Sequence, residues 1–228
     1  DSKTVFRICD KCDSKAERVF EKTEDGREKP SLMKEVDFRA VFQNSLKKLN
    51  TQIFPDLIKG VKGTFNPEHI PEHMTKAILR AKHSVHVNKD GTTRYDCSEL
   101  PITHFKPSEI GAPVEKLLSL GYTKDVYGSK LESDNQILEI RAQDIIIPAA
   151  PDSPNEPSDE VLFRVSKFID ELLVRLYGLK AFYKLKSKED LIGHYVVGLA
   201  PHTSAGILGR IIGFSKTQAF FAHPMFHA

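Results

Sequence analysis

The chain has 228 residues and a formal net charge of +2, from 33 Lys and Arg against 31 Asp and Glu. Its 40% hydrophobic content excludes an intrinsically disordered chain, which needs low hydrophobicity and a large net charge. No apolar run approaches the roughly 18 residues of a membrane helix, no signal-peptide pattern opens the chain, and a near-balanced charge implies no polyanionic partner by itself.

The first 30 residues are charged and poor in apolar periodicity, with Val5, Phe6 and Ile8 forming a short strand that leads into Cys9-Asp10-Lys11-Cys12. Three cysteines, an odd number, build no disulfide framework; they suit a reducing interior in which CxxC is a metal or redox half-motif. Structural zinc takes four ligands in a tetrahedron, usually as two close pairs. One pair is present, and Cys97 lies far away. The pair is therefore either half of a zinc ribbon whose other half precedes Asp1, or two unmetallated cysteines at a strand end. From Ser31, a plausible N-cap, Val41, Phe42, Leu46 and Leu49 recur at helical spacing up to Asn50, and Glu35 suits the positive helix end.

Residues 59–94 carry seven basic residues (Lys59, Lys62, Lys76, Arg80, Lys82, Lys89 and Arg94) against Glu68, Glu72 and Asp90. Such a cluster either contacts phosphates, giving affinity that weakens with salt, or is an ordinary solvated face. A short helix is expected from about Glu72 to Lys82. A hairpin follows, with 84–87 and 92–95 flanking Asn88-Lys89-Asp90-Gly91, since Asp-Gly favours the positive φ values of tight turns. A second short helix runs from Pro113 to Gly121, a natural stop.

Ile137 to Ile147 reads as one strand. Pro148, Pro151, Pro154 and Pro157 then mark 148–159 as an extended linker. Ser158 caps the strongest helix, whose apolar face holds Val161, Leu162, Val165, Phe168, Ile169, Leu172, Leu173 and Leu176, with Gly178 ending it. The boundaries expected are thus 1–30, 31–147, 148–159 and 160–228.

The tail is rich in glycine and histidine. His223 and His227 are four apart, as are His69 and His73, but neither pair reads HExxH, and Pro224 and Pro71 disfavour a regular helix between them. Pro201, Thr203 and Ser204 are expected to open a helix whose N-terminus could meet an anion, with Gly206, Gly209 and Gly213 leaving one face bare for close approach of a helix or substrate. No Walker loop, dinucleotide fingerprint or nucleophile elbow is present.

Several stretches resemble the large subunit of the archaeal family D DNA polymerase. They are Gly198-Leu199-Ala200-Pro201-His202-Thr203-Ser204-Ala205-Gly206 with Gly209-Arg210-Ile211-Ile212-Gly213-Phe214, and Ala222-His223-Pro224 to His227-Ala228. Leu57-Ile58-Lys59-Gly60-Val61-Lys62-Gly63, Ile78-Leu79-Arg80-Ala81-Lys82-His83, Leu100-Pro101-Ile102-Thr103-His104-Phe105-Lys106-Pro107 and Glu109-Ile110-Gly111 agree as well. The resemblance spans most of the chain and implies an α+β fold: an internal piece of a double-psi β-barrel polymerase core, with a partial zinc ribbon and a helical and hairpin accessory region. It implies template-directed DNA synthesis from dNTPs with two Mg²⁺ ions, held by aspartates expected after Ala228, so that no catalytic residue is expected within this chain.

It also implies Zn²⁺ ligation by Cys9 and Cys12. Lys59, Lys62, Arg80 and Lys82 are expected to contact the duplex backbone, while His202, Arg210, His223 and His227 line the active-site edge and Lys216 counts among the nucleic-acid contacts. The partners implied are a DNA primer–template, dNTPs, a small exonuclease subunit and a sliding clamp, in the cytoplasm at the archaeal nucleoid. A non-catalytic DNA-binding or assembly module is the alternative.

Overall fold

A computed structural model describes residues 20–22, 24, 26, 28–30, 37–51, 56–61, 72–88, 91–152, 154–199 and 206–226. The expected strand at 5–8, the N-cap at Ser31 with Glu35, and residues Cys9, Cys12, Lys62, His69, His202 and His227 lie outside them. The chain divides into two compact units, one of residues 1–94 with 167–184 and one of residues 95–166 with 185–228. The proline-rich residues 148–159 fall inside the second. Among the described residues no helix is long and apolar enough to cross a membrane.

In the first unit, β1 (Phe20–Lys22) pairs antiparallel with β2 (Glu28–Pro30). Helix α1 spans Phe38–Leu49 and is capped by Asp37, whose carboxylate accepts the Ala40 N–H at 3.0 Å. It stops at Asn50, whose left-handed backbone (φ 47°) lets its N–H reach the last carbonyls. Helix α2 (Met74–Lys82) buries Ala77, Ile78 and Leu79 and packs against α1. The expected hairpin at 84–95 forms its turn only. Gly91, at φ +83°, donates to the Asn88 carbonyl at 3.0 Å, and the Asn88 N–H reaches Thr92 O at 2.9 Å. Neither flank is a strand, and Val87 O accepts Lys59 Nζ from outside the turn.

The second unit is built on a five-stranded mixed sheet of order β3 (Ser98–Pro101), β9 (Ala219–Ala222), β6 (Asp144–Pro148), β8 (Gly206–Ser215) and β7 (Tyr195–Leu199). Strand β6 is buried along its whole length, which fits its unbroken Ile145-Ile146-Ile147 run. It runs parallel to β8 and antiparallel to β9. β8 and β9 are consecutive in sequence, yet β6 lies hydrogen-bonded between them. A small two-stranded ladder, β4 (His104–Phe105) with β5 (Leu138–Glu139), and helix α3 (Val114–Ser119) complete a core holding Phe105, Leu117, Leu138, Ile146 and Ile212. Burying each such side chain contributes roughly 1.5–3 kcal/mol.

Three further expectations are corrected. The single strand at 137–147 is two, β5 and β6, parted by a turn at 141–143. Arg141 bends there because Tyr122 Oη accepts its N–H and its side chain is drawn to the carbonyls that end α3. Ser158 does not cap the long helix α4 (Ser158–Leu172) but is its first residue. Its buried hydroxyl donates to Pro148 O, and the Val161 N–H takes the Pro157 carbonyl instead. A π turn, Leu173–Tyr177, extends α4 to Gly178, whose φ of 67° ends it as the sequence predicts.

The third correction concerns 200–214, where the helix expected from Pro201 is absent from 206 onward. Gly206–Ser215 is strand β8, paired with β7 and β6. Its glycines serve close approach, but to the protein's own core. A Cβ at Gly213 would stand 2.7 Å from Ile110 Cδ1, and one at Gly209 would stand 2.9 Å from Ile145 Cδ1.

Candidate functional site

In the first unit, Lys59, Arg80 and Lys82 each hold a partner within the protein. Arg80 is buried, and its guanidinium is bound to Glu72, whose carboxylate also accepts the Val61 N–H at 3.2 Å. Burial pushes the Arg80 pKa below its ordinary value. Lys82 Nζ reaches both Glu171 oxygens, at 2.7 and 3.0 Å, and His83 Nε2 reaches one of them at 2.7 Å. Burial pushes the Glu171 carboxyl up, but the bonds from Lys82 and His83 outweigh it and hold it below the usual carboxylate range. Lys59 is exposed and donates to Val87 O at 3.0 Å. His73 caps α2, its Nδ1 accepting the Thr75 N–H at 3.1 Å.

In the second unit Arg210 lies on β8 and faces the start of β6. Its Nε and Nη2 form a two-pronged pair with Asp144, both at 2.7 Å, and its Nη1 donates to Leu120 O at 3.2 Å. The Asp144 side chain is only 2% exposed and takes a third bond from Tyr122 Oη at 2.6 Å. The Asp144 carboxylate raises the Arg210 pKa, and burial with the same carboxylate raises that of the Tyr122 phenol. Arg210 thus holds β6 and β8 in register beside the irregularity between Ile145 and Ile146. An Arg inside an apolar strand, and an Asp opening a run of three isoleucines, was the available sign of that buried pair.

Around this network opens a cleft of about 560 Å³. Its walls are the segment after α3 (Gly121 to Val126), the residues from Glu139 to Ala142, and His223 just after β9. Arg141 is fixed at its edge, donating to Leu120 O at 3.1 Å and Gly121 O at 2.6 Å and stacked over the Tyr122 ring at 4.8 Å. His223 Nδ1 accepts the Met225 N–H at 3.1 Å. Lys216 is exposed in the β8–β9 turn, which Ser215 and Thr217 hold through paired hydroxyls 2.7 Å apart. Of the expected contacts, then, the structure places His223 on the cleft, Arg210 in the network behind it and Lys216 in the turn at the other end of β9. Lys59, Arg80 and Lys82 belong to the other unit. Lys124 and Arg141, which line the cleft, were not singled out by the sequence.

Residues 51–228 match the family model described as DNA polymerase II large subunit DP2, catalytic domain. The DNA polymerase II large subunit of Archaeoglobus fulgidus is 49% identical over 227 residues, covering 99% of this chain and 18% of that protein. That of Methanoculleus marisnigri is 54% identical over 172 residues (75% and 13%), and that of Methanocella arvoryzae 47% over 199 residues (87% and 17%). The chain spans less than a fifth of the length of these curated relatives.

Proposed function

The chain belongs to the DNA polymerase II large subunit family, and on that premise we infer that it is part of the DNA-synthesising subunit of an archaeal family D polymerase, where it frames and binds primer–template DNA. The observation that carries this reading is the match to the catalytic-domain model across residues 51–228. The whole enzyme would join dNTPs to a primer by template-directed nucleotidyl transfer, with a smaller exonuclease subunit and a sliding clamp as partners. The expected double-psi barrel stays part of this reading, and the hydrogen-bonded insertion of β6 between β8 and β9, which are adjacent in sequence, is the feature that favours it.

Among the described residues no group of three or more His, Cys, Asp or Glu side chains could hold a metal ion. These residues alone therefore do not fit the magnesium that nucleotidyl transfer uses, and no step is assigned through it. The carboxylates for it belong, in this reading, to other parts of the polypeptide, and the proposed zinc ligands Cys9 and Cys12 lie outside the described residues.

One observation favours the second reading, a non-catalytic binding or assembly module. Tyr195, Val197 and Leu199 on β7 and Leu208 on β8 leave an apolar row exposed, as surfaces that meet a partner do. Primer extension by the whole protein with its smaller partner separates the two. The polymerase reading expects extension that depends on Mg²⁺ and all four dNTPs. Tight DNA binding with no extension under any condition would leave the module reading standing.

A further inference from the structure

We propose that the cleft between the segment after α3, the β5–β6 turn and His223 takes the phosphate of a nucleotide unit, with Lys124, Arg141 and His223 as its donors. The proposal rests on the nucleic-acid reading above and names the site that serves it. Three basic side chains reach this cleft from three separate parts of the fold, and each is suited to an anion for its own reason.

Arg141 is preorganised. Two of its five N–H groups are spent on the Leu120 and Gly121 carbonyls and its plane is stacked on Tyr122, which leaves the remaining donors fixed in direction. Little side-chain entropy remains to be lost when a ligand arrives. In His223 the Nδ1 atom accepts the Met225 N–H, so in the neutral ring the proton sits on Nε2, and the free edge of the ring is a donor. Lys124 is exposed, and among the described residues no carboxylate pairs with it.

Two carboxylates also line the walls, and they differ. Asp125 is turned into its own loop, accepting from the Tyr127 and Ser129 N–H groups at 3.0 and 2.8 Å and from Gln136 Nε2 at 3.0 Å, so its charge is already met by three donors. Glu139 carries no such set. A compact anion such as inorganic phosphate would meet Glu139 as well as the cations. A nucleotide offers phosphate oxygens to Lys124, Arg141 and His223, and a sugar hydroxyl or base amino group as a donor to Glu139. The volume, about 560 Å³, lies within the range of small-molecule sites. The phosphate could come from a DNA strand or from a free dNTP, and the two sources leave different kinetic signatures.

The test uses the whole polymerase with its smaller partner and compares wild type with Lys124→Gln, Lys124→Arg and, as a control at an exposed lysine that does not line the cleft, Lys186→Gln. Primer–template affinity is measured by fluorescence anisotropy from about 50 to 300 mM salt, and the dNTP KM by primer extension. If the phosphate belongs to a strand, Lys124→Gln weakens binding by roughly threefold to tenfold at the lowest salt, and the slope of log affinity against log salt becomes shallower by about one. If it belongs to a free dNTP, the slope holds and the KM rises by a similar factor. Lys124→Arg stays close to wild type in either case. The site is overturned if Lys124→Gln matches Lys186→Gln in both measurements while wild type binds DNA normally. A wild-type complex that binds no primer–template at any salt sinks the proposed function, and the site with it.

Discussion

Glu171 gathers Lys82 and His83 around one carboxylate, and that arrangement has a definite pH signature. Its pKa in the folded chain is held below the ordinary value. Its contribution to stability is therefore fully present above the unfolded pKa of about 4.3, and is lost as pH falls through the lower folded value. Glu171→Gln should remove that dependence. In hydrogen exchange of α2, wild-type protection should fall as the pH drops below about 4.3, while the variant starts lower and falls by less across the same window, the Arg80–Glu72 pair being left in both. Equal acid sensitivity in both proteins would contradict the assignment. The same residues show what sequence reveals at this scale. Lys82 and Arg80 are legible as a basic cluster, but Glu171 lies 89 residues beyond Lys82 and meets it only after folding. Arg80 is likewise bound to Glu72 and buried, a fate that charge counting does not carry. Arg210 was legible as a notable residue. Its partner Asp144, 66 residues earlier, was not.

Among the elements, those whose signals are local were readable. The ends of α2 and α3, the stop at Gly178 and the turn at Gly91 follow from caps, glycines and helical spacing. Strand β8 was misread because Gly206, Gly209 and Gly213 fall three and four apart, the spacing of a helix face. The isoleucines beside them favour a strand, and the hydrogen-bonding neighbours that decide the matter are β6 and β7. The glycines are needed for contact rather than for helix packing. Gly213→Ala would place its Cβ 2.7 to 2.8 Å from three Ile110 side-chain atoms, against a fully packed core. The expected cost is about 1–3 kcal/mol, seen as a lower melting temperature. Gly206→Ala, whose nearest neighbours are Val197 at 3.2 Å and Leu199 at 3.5 Å on the exposed edge, should be milder. Equal losses at the two positions would argue against the packing described for β8.

At the scale of the molecule, the sheet of the second unit brings residues far apart in sequence to one cleft: Lys124 after α3, Arg141 after β5 and His223 after β9. No spacing rule could have joined them, because the β6 strand inserted between β8 and β9 is what carries His223 back to the segment after α3. The chain's near-balanced composition likewise hid a local concentration of donors. The claim on which the account rests is that this stretch of polypeptide grips nucleic acid. Hydrogen exchange of the whole polymerase, with and without saturating primer–template, addresses it directly. The account predicts slowed exchange in peptides covering 121–126, 139–142 and 216–226. Unchanged exchange throughout residues 51–228, in a protein shown to be saturated with DNA, would contradict it.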